Sequence, residues 1–198
     1  MRALRSAWLI AAALALGAAG PPVDPDWPCV QRLVPSLTAS TLWGGHDATG
    51  DWRANPQVAA VVAAVSPRGV SAKEGSAKLE QFVATVPNPD RPAQLALVFA
   101  GMVDETNVQR SQVIDRLRGI AQRQRTLTEL TSRITAELRA LPVDAPTAQR
   151  EEIVGRRAFL IREYEEIERT IRYACEVPVQ MEAKLGALAQ TLQQGLAD

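Results

Sequence analysis

Two heptad patterns, mirrored about a short Pro-bracketed turn, constrain this chain more than any other feature. The first runs Val113, Leu117, Ile120, Gln124, Leu127, Thr131, Ile134, Leu138, Leu141. The second runs Ile153, Arg157, Leu160, Tyr164, Ile167, Ile171, Ala174, Pro178, Met181, Leu185, Leu188, Leu192. Both alternate steps of four and three, the spacing of a coiled-coil seam. Between them, Leu141-Pro142-Val143-Asp144-Ala145-Pro146-Thr147 cannot continue a helix, because each proline removes a donor and pushes its predecessor out of the helical region. The pattern predicts a long antiparallel hairpin with arms over 93–141 and 147–196. A turn centred near Ala145 pairs residues whose numbers sum to about 291. Leu138 then faces Ile153, Leu127 faces Tyr164, Ile120 faces Ile171 and Phe99 faces Leu192. The arms end together, an internal check on the hairpin. A break near Asn107, where Asp104-Glu105-Thr106-Asn107 is locally polar, is the alternative.

The two ends of the hairpin differ. Leu95, Ala96, Leu97, Val98, Phe99, Ala100, Met102 and Val103 are apolar on every face, which a helix pair cannot bury. Short N-terminal helices must cover them. Asn55-Pro56 opens one such helix, with the cap residue first and proline at the first helical position. It ends at Pro67-Arg68-Gly69 and, being apolar nearly all round, should be buried. Ser71 and Glu74 form a capping box for the next, whose apolar face is Leu79, Phe82, Val83 and Val86. Ser36 is positioned to cap a further short helix over 36–43. The predicted fold is all-α: a short-helix head (29–105 with 175–196) packed on the base of a long antiparallel coiled-coil hairpin. The stalk (110–174) projects about 40 Å between Val113 and Leu141 at 1.5 Å per residue. Pro178 predicts an interruption of the second arm between Cys175 and Val179, or else a mild kink.

The N-terminus reads as a secretory leader over 1–19. Arg2 and Arg5 precede an apolar run, followed by Gly17-Ala18-Ala19-Gly20 with cleavage after Ala19. The run is too short to span a bilayer, so no transmembrane segment is expected in the mature protein. The cysteines are two, Cys29 and Cys175. In an exported protein an isolated pair reads as a disulfide, with two unrelated buried thiols as the alternative. One His and two Cys without a CxxC supply no metal set. Lys and Arg number 22, matched by 22 Asp and Glu, which removes the basic excess that nucleic-acid binding needs.

Trp43-Gly44-Gly45-His46-Asp47-Ala48-Thr49-Gly50-Asp51-Trp52 is the one stretch with the look of a site. Trp43, His46, Asp47, Asp51 and Trp52 combine a base, carboxylates and aromatic walls. No nucleophile or second His completes it, and the plainer reading is a surface loop whose Trp rings pack under the head. The chain has no P-loop, GxSxG or HExxH element, so no catalytic residues and no cofactor are expected. On the stalk, Arg116, Arg118, Arg123 and Arg125 form a basic run, and Glu163, Glu165, Glu166 and Glu168 an acidic one. The same register sets Arg123 near Glu168 and Arg125 near Glu166, as flanking ion pairs. Gln124, Thr131 and Arg157 are polar seam positions. Ala136 faces Gly155, where the arms have room to approach closely.

Four blocks carry a resemblance: Asp26-Trp27-Pro28-Cys29-Val30-Gln31, Trp52-Arg53-Ala54-Asn55-Pro56-Gln57-Val58-Ala59, Leu141-Pro142-Val143-Asp144-Ala145-Pro146 and Cys175-Glu176-Val177-Pro178-Val179. They resemble those of a family of small secreted bacterial α-helical proteins with two cysteines. The resemblance implies export and a helical build and brings no activity with it, so no site residue is transferred. The sequence thus points to a non-catalytic periplasmic protein working through its hairpin, on a cell-envelope protein or by self-association. The alternative is a protein that binds a small ligand or metal through the 43–52 loop.

Overall fold

The computed structural model describes residues 24–45 and 47–197. The leader expected over 1–19, and His46, lie outside them. Five helices carry the fold: α1 Pro56–Val65, α2 Ala72–Thr85, α3 Arg91–Ala140, α4 Thr147–Ala174 and α5 Glu176–Ala197. Two short 3-10 turns, Ala39–Thr41 and Trp52–Ala54, precede them. Among the described residues there is no strand, and the fold is all-α.

Local chemistry sets the boundaries. The Asn55 side chain accepts from the backbone N–H groups of Gln57 and Val58, with Pro56 at the first helical position. Ser71 Oγ accepts from the Glu74 N–H at 3.1 Å. The Glu74 carboxylate turns to Lys78 Nζ at 3.0 Å. The helix expected over 36–43 shrinks to Ala39–Thr41, and Thr38 rather than Ser36 precedes it. Here the Leu37 backbone is tied to α3 instead: its N–H donates to Asn107 Oδ1 at 2.8 Å and its carbonyl accepts from Asn107 Nδ2 at 3.0 Å.

That pairing also explains why α3 does not break at its polar stretch. Asp104 accepts from Trp52 Nε1 at 2.9 Å, Arg53 reaches Asp104 and Glu105 at 3.6 and 3.7 Å, and Asn107 holds Leu37. These polar groups face the segments that dock on the helix. At about 1.5 Å per residue the helix is about 75 Å long. Pro142 stops it, the Ala145 N–H closes the turn onto the Pro142 carbonyl at 3.1 Å, and α4 returns antiparallel.

The returning arm is almost continuous. Cys175 keeps helical dihedrals and its N–H still reaches the Ile171 carbonyl at 2.9 Å. The interruption is one residue wide, and Pro178 falls in the first turn of α5, where a missing N–H costs no intrahelical bond.

Two apolar clusters follow. In the head, α1 and α5 pack on the first third of α3, and α2 packs across α1 and α5. Val58, Val62, Val65, Leu79, Leu95, Val98, Phe99, Met102, Leu185, Leu188 and Leu192 share one core. Only one face of α1 is buried; Ala60, Ala63 and Ala64 stand in solvent. The all-round apolar helix therefore has an alanine side that no other element covers. At the hairpin base a second cluster joins Val113, Leu117, Leu127, Ile167, Ile171, Cys175 and Met181, with Trp27 and Cys29 packed on it. Residues 24–35 thus run as a strap along the hairpin base.

Candidate functional site

The strap is fixed at both ends of its run. Cys29 and Cys175 are bonded, with Cα atoms 5.6 Å apart. Gln31 Nε2 donates to the Cys175 carbonyl at 2.7 Å, at the break between α4 and α5. Further along, Arg118 Nη2 meets Asp24 Oδ2 at 2.8 Å, and Asp26 accepts from Gln122 Nε2 at 2.6 Å and pairs with Arg125. The Asp26 N–H and Arg118 hold the Asp24 carboxyl below its ordinary range, and Gln122 and Arg125 do the same for Asp26. The basic run on α3 therefore serves the strap more than α4. Arg125 goes to Asp26 rather than Glu166. Arg123 meets Glu163 at 3.1 Å rather than Glu168, and Glu166 turns to Arg169 on its own helix at 2.6 Å. The sequence register considered only two arms, and a third segment supplies competing carboxylates.

Arg110 lies behind the strap, 2 % exposed. Its Nη2 donates to the Val34 carbonyl at 2.8 Å, and its Nη1 donates to the Pro178 carbonyl at 3.1 Å and meets Glu182 at 2.5 Å. One guanidinium thus ties strap, α3 and α5 together. Its five donors in a planar fork suit it to that task. Arg110 stands one seam step before Val113, and a charge at an apolar position was the sequence clue to it. Asp24 and Asp26 stand opposite the basic run, but residues 24–35 carry no periodicity that would place them there.

Among the described residues of the 43–52 loop, the Trp rings pack on the head and Asp51 caps a turn; His46 lies outside them. Trp43 stacks on Phe99 with centroids 4.8 Å apart. Trp52 is buried, and the Arg53 guanidinium lies 4.1 Å from its ring centroid. Asp51 caps the 3-10 turn through the Arg53 N–H, and Asp47 is exposed. Among the described residues no group of three or more His, Cys, Asp or Glu is placed to hold a metal ion.

Among the concave surfaces of the described residues, two have mainly apolar walls and the largest volumes. The first, about 420 Å³, opens between the α1–α2 loop, α3 and α5. Met102, Met181, Leu185 and Leu188 form its floor; Ser66, Arg68, Gln109 and Lys184 stand at its rim. Lys184 Nζ donates to the Pro67 carbonyl at 2.7 Å, and burial lowers its pKa from the ordinary lysine value. The buried Ser66 hydroxyl makes no hydrogen bond within the protein. The second, about 500 Å³, is an open groove on the distal stalk, walled by Leu130, Ile134, Gly155, Phe159 and Leu160 and edged by Arg156. Phe159 is 54 % exposed there. The arms do not close at Gly155, where a Cβ would find nothing within 4 Å. Arg157 instead spans the seam nearby, its Nε donating to Thr135 Oγ1 at 3.0 Å.

No protein family, curated protein or solved structure matches the chain. No helix among the described residues is long and apolar enough to cross a membrane.

Proposed function

We propose that this is an exported, non-catalytic protein of the periplasm that acts by binding another protein along its hairpin, a coiled-coil stalk. The observation that carries the reading is the distal groove. Leu130, Ile134, Phe159 and Leu160 leave an apolar stripe open between two antiparallel helices, beyond the head core and the buried cluster of the hairpin base. A partner helix with apolar residues at i, i+3 and i+4 fits such a surface. Arg156, paired with Glu137 at 2.9 Å, supplies a polar edge to fix its orientation. The leader-like N-terminus supports export, and the Cys29–Cys175 bond suits an oxidising compartment.

The test is photocrosslinking in the cell envelope. A crosslinking residue at Phe159 or Leu130 is expected to trap one defined protein species. The same residue at Tyr173, more solvent-exposed than either but outside the groove, is expected to trap none. A product of twice the chain's own mass, reproduced with pure protein, makes that partner a second copy. Equal labelling from all three positions overturns the reading.

A further inference from the structure

We propose that the cavity under the α1–α2 loop binds a single-chain amphiphile with an anionic head group. The site is separate from the stalk groove and shares no residue with it. Three features of the cavity define the ligand. Its volume of about 420 Å³ lies low in the small-molecule range of about 300–1,000 Å³, so it holds one chain. Its floor is made by Met102, Met181, Leu185 and Leu188, and the two unbranched thioether side chains adapt to a flexible hydrocarbon. Its lining includes the cations Arg68 and Lys184 and no carboxylate, which selects a negative head group.

The rim chemistry agrees with this assignment. Lys184 Nζ is turned to the carbonyls of Pro67 and Ser66, at 2.7 and 3.5 Å. These neutral acceptors leave the ammonium without a direct ion pair, Glu74 acting on it only at longer range, and an ammonium has three donors to share. The Ser66 hydroxyl is buried and has no protein partner, so it is a donor that a carboxylate oxygen at the rim satisfies. A buried polar group left unpaired is costly, and a ligand that pairs it gains accordingly. Gln109 Nε2 also points to this corner, donating to the Ser66 carbonyl at 3.3 Å.

Isothermal titration calorimetry of the purified protein with sodium decanoate, decyltrimethylammonium and decanol tests the proposal. Decanoate is expected to bind saturably at one site, about tenfold more tightly than either other probe, the size of one charge-assisted hydrogen bond. Lys184→Met is expected to erase that preference while chain binding persists. Thr106→Trp, which places an indole in the cavity mouth, is expected to abolish decanoate binding. Should Lys184→Met lose helicity, Arg68→Ser at an exposed position carries the same comparison, with a several-fold loss expected. Failure of decanoate to saturate, an equal affinity for the ammonium probe, or unchanged decanoate affinity in the folded charge variants overturns the proposal. Crosslinking from Phe159 is expected to be the same in all these variants, so this result and the stalk result stand or fall separately.

Discussion

The head and the distal stalk use one helix, α3, and one heptad phase, yet they end in opposite states. In the head, α3 meets α1, α5 and the two 3-10 turns, and Leu95, Val98 and Phe99 are essentially without solvent contact. Beyond the strap it meets α4 alone, and Leu130, Ile134 and Leu138 stay half-buried. An apolar seam residue is buried by the number of neighbours around it rather than by its position in the repeat. Where neighbours are three, the seam becomes core. Where there is one, the same seam leaves a stripe open, and that stripe is what the stalk can offer to a partner.

The largest expected effect falls on the boundary between the two regions. The Cys29–Cys175 bond closes a loop spanning 146 residues. In the chain-entropy model such a cross-link stabilises by about 5 kcal/mol. Cys29→Ser with Cys175→Ser is therefore expected to lower the denaturant midpoint of the whole protein. It should also loosen the strap before the head, read as earlier amide exchange at residues 24–35. An unchanged midpoint would mean that the strap is held by Arg110, Arg118 and Arg125 alone.

The next effect sets core against stripe directly. Leu188→Ala removes a side chain 2 % exposed, and such a truncation costs about 3–5 kcal/mol. Leu160→Ala, half-buried at the stalk groove, is expected to cost about 1 kcal/mol. Equal losses in urea unfolding would falsify the division into a buried head and an open stalk.

Much of this division was legible in the sequence, and its limits have physical causes. The heptads, the Pro142 and Pro146 turn, the Asn55 and Ser71 caps and the apolar run at 95–103 are local patterns, and local patterns determine helices. The strap was not legible, because residues 24–35 have no periodicity; they are placed by long-range contacts to Arg118, Gln122 and Arg125. The polarity of 104–107 left a helix break open as an alternative to the continuous arm, because its partners, Leu37, Trp52 and Arg53, lie far away in sequence. Of the 43–52 loop, the packing of Trp43 and Trp52 was readable from their size and apolar faces. The cavity with Lys184 and Ser66 was not, since it forms only where three separated elements meet.

Two glycines turn the comparison into a change of sign. At Gly101 a Cβ would come within 2.7 Å of Val62 Cγ2 and 2.9 Å of the Trp52 ring. Gly101→Ala is expected to overpack the head and cost about 1–3 kcal/mol. At Gly155 a Cβ meets nothing within 4 Å, and alanine is the better helix former. Gly155→Ala is expected to stabilise by about 1 kcal/mol. The pair needs only two thermal melts, and a loss at both positions would mean that the arms approach at Gly155 more closely than the structure has them.

The smallest effect concerns how the strap is held to the stalk. Asp24 and Asp26 are held below the ordinary carboxylate value of 3.8 by the Asp26 N–H, Gln122, Arg118 and Arg125. A carboxylate whose folded pKa is depressed favours the docked form above its free value, and that preference fades as pH falls through the folded value. The strap should thus stay docked at neutral pH, and residues 24–28 should lift from α3 only in acid, below about pH 4. The disulfide keeps Cys29 in place throughout. Carboxyl NMR titration is expected to give midpoints for both residues below 3.8, moving back toward that value in about 1 M salt, where exposed pairs are screened. Midpoints at or above 3.8 in low salt would leave the disulfide and Arg110 as the strap's attachment and remove the basic run of α3 from any part in it.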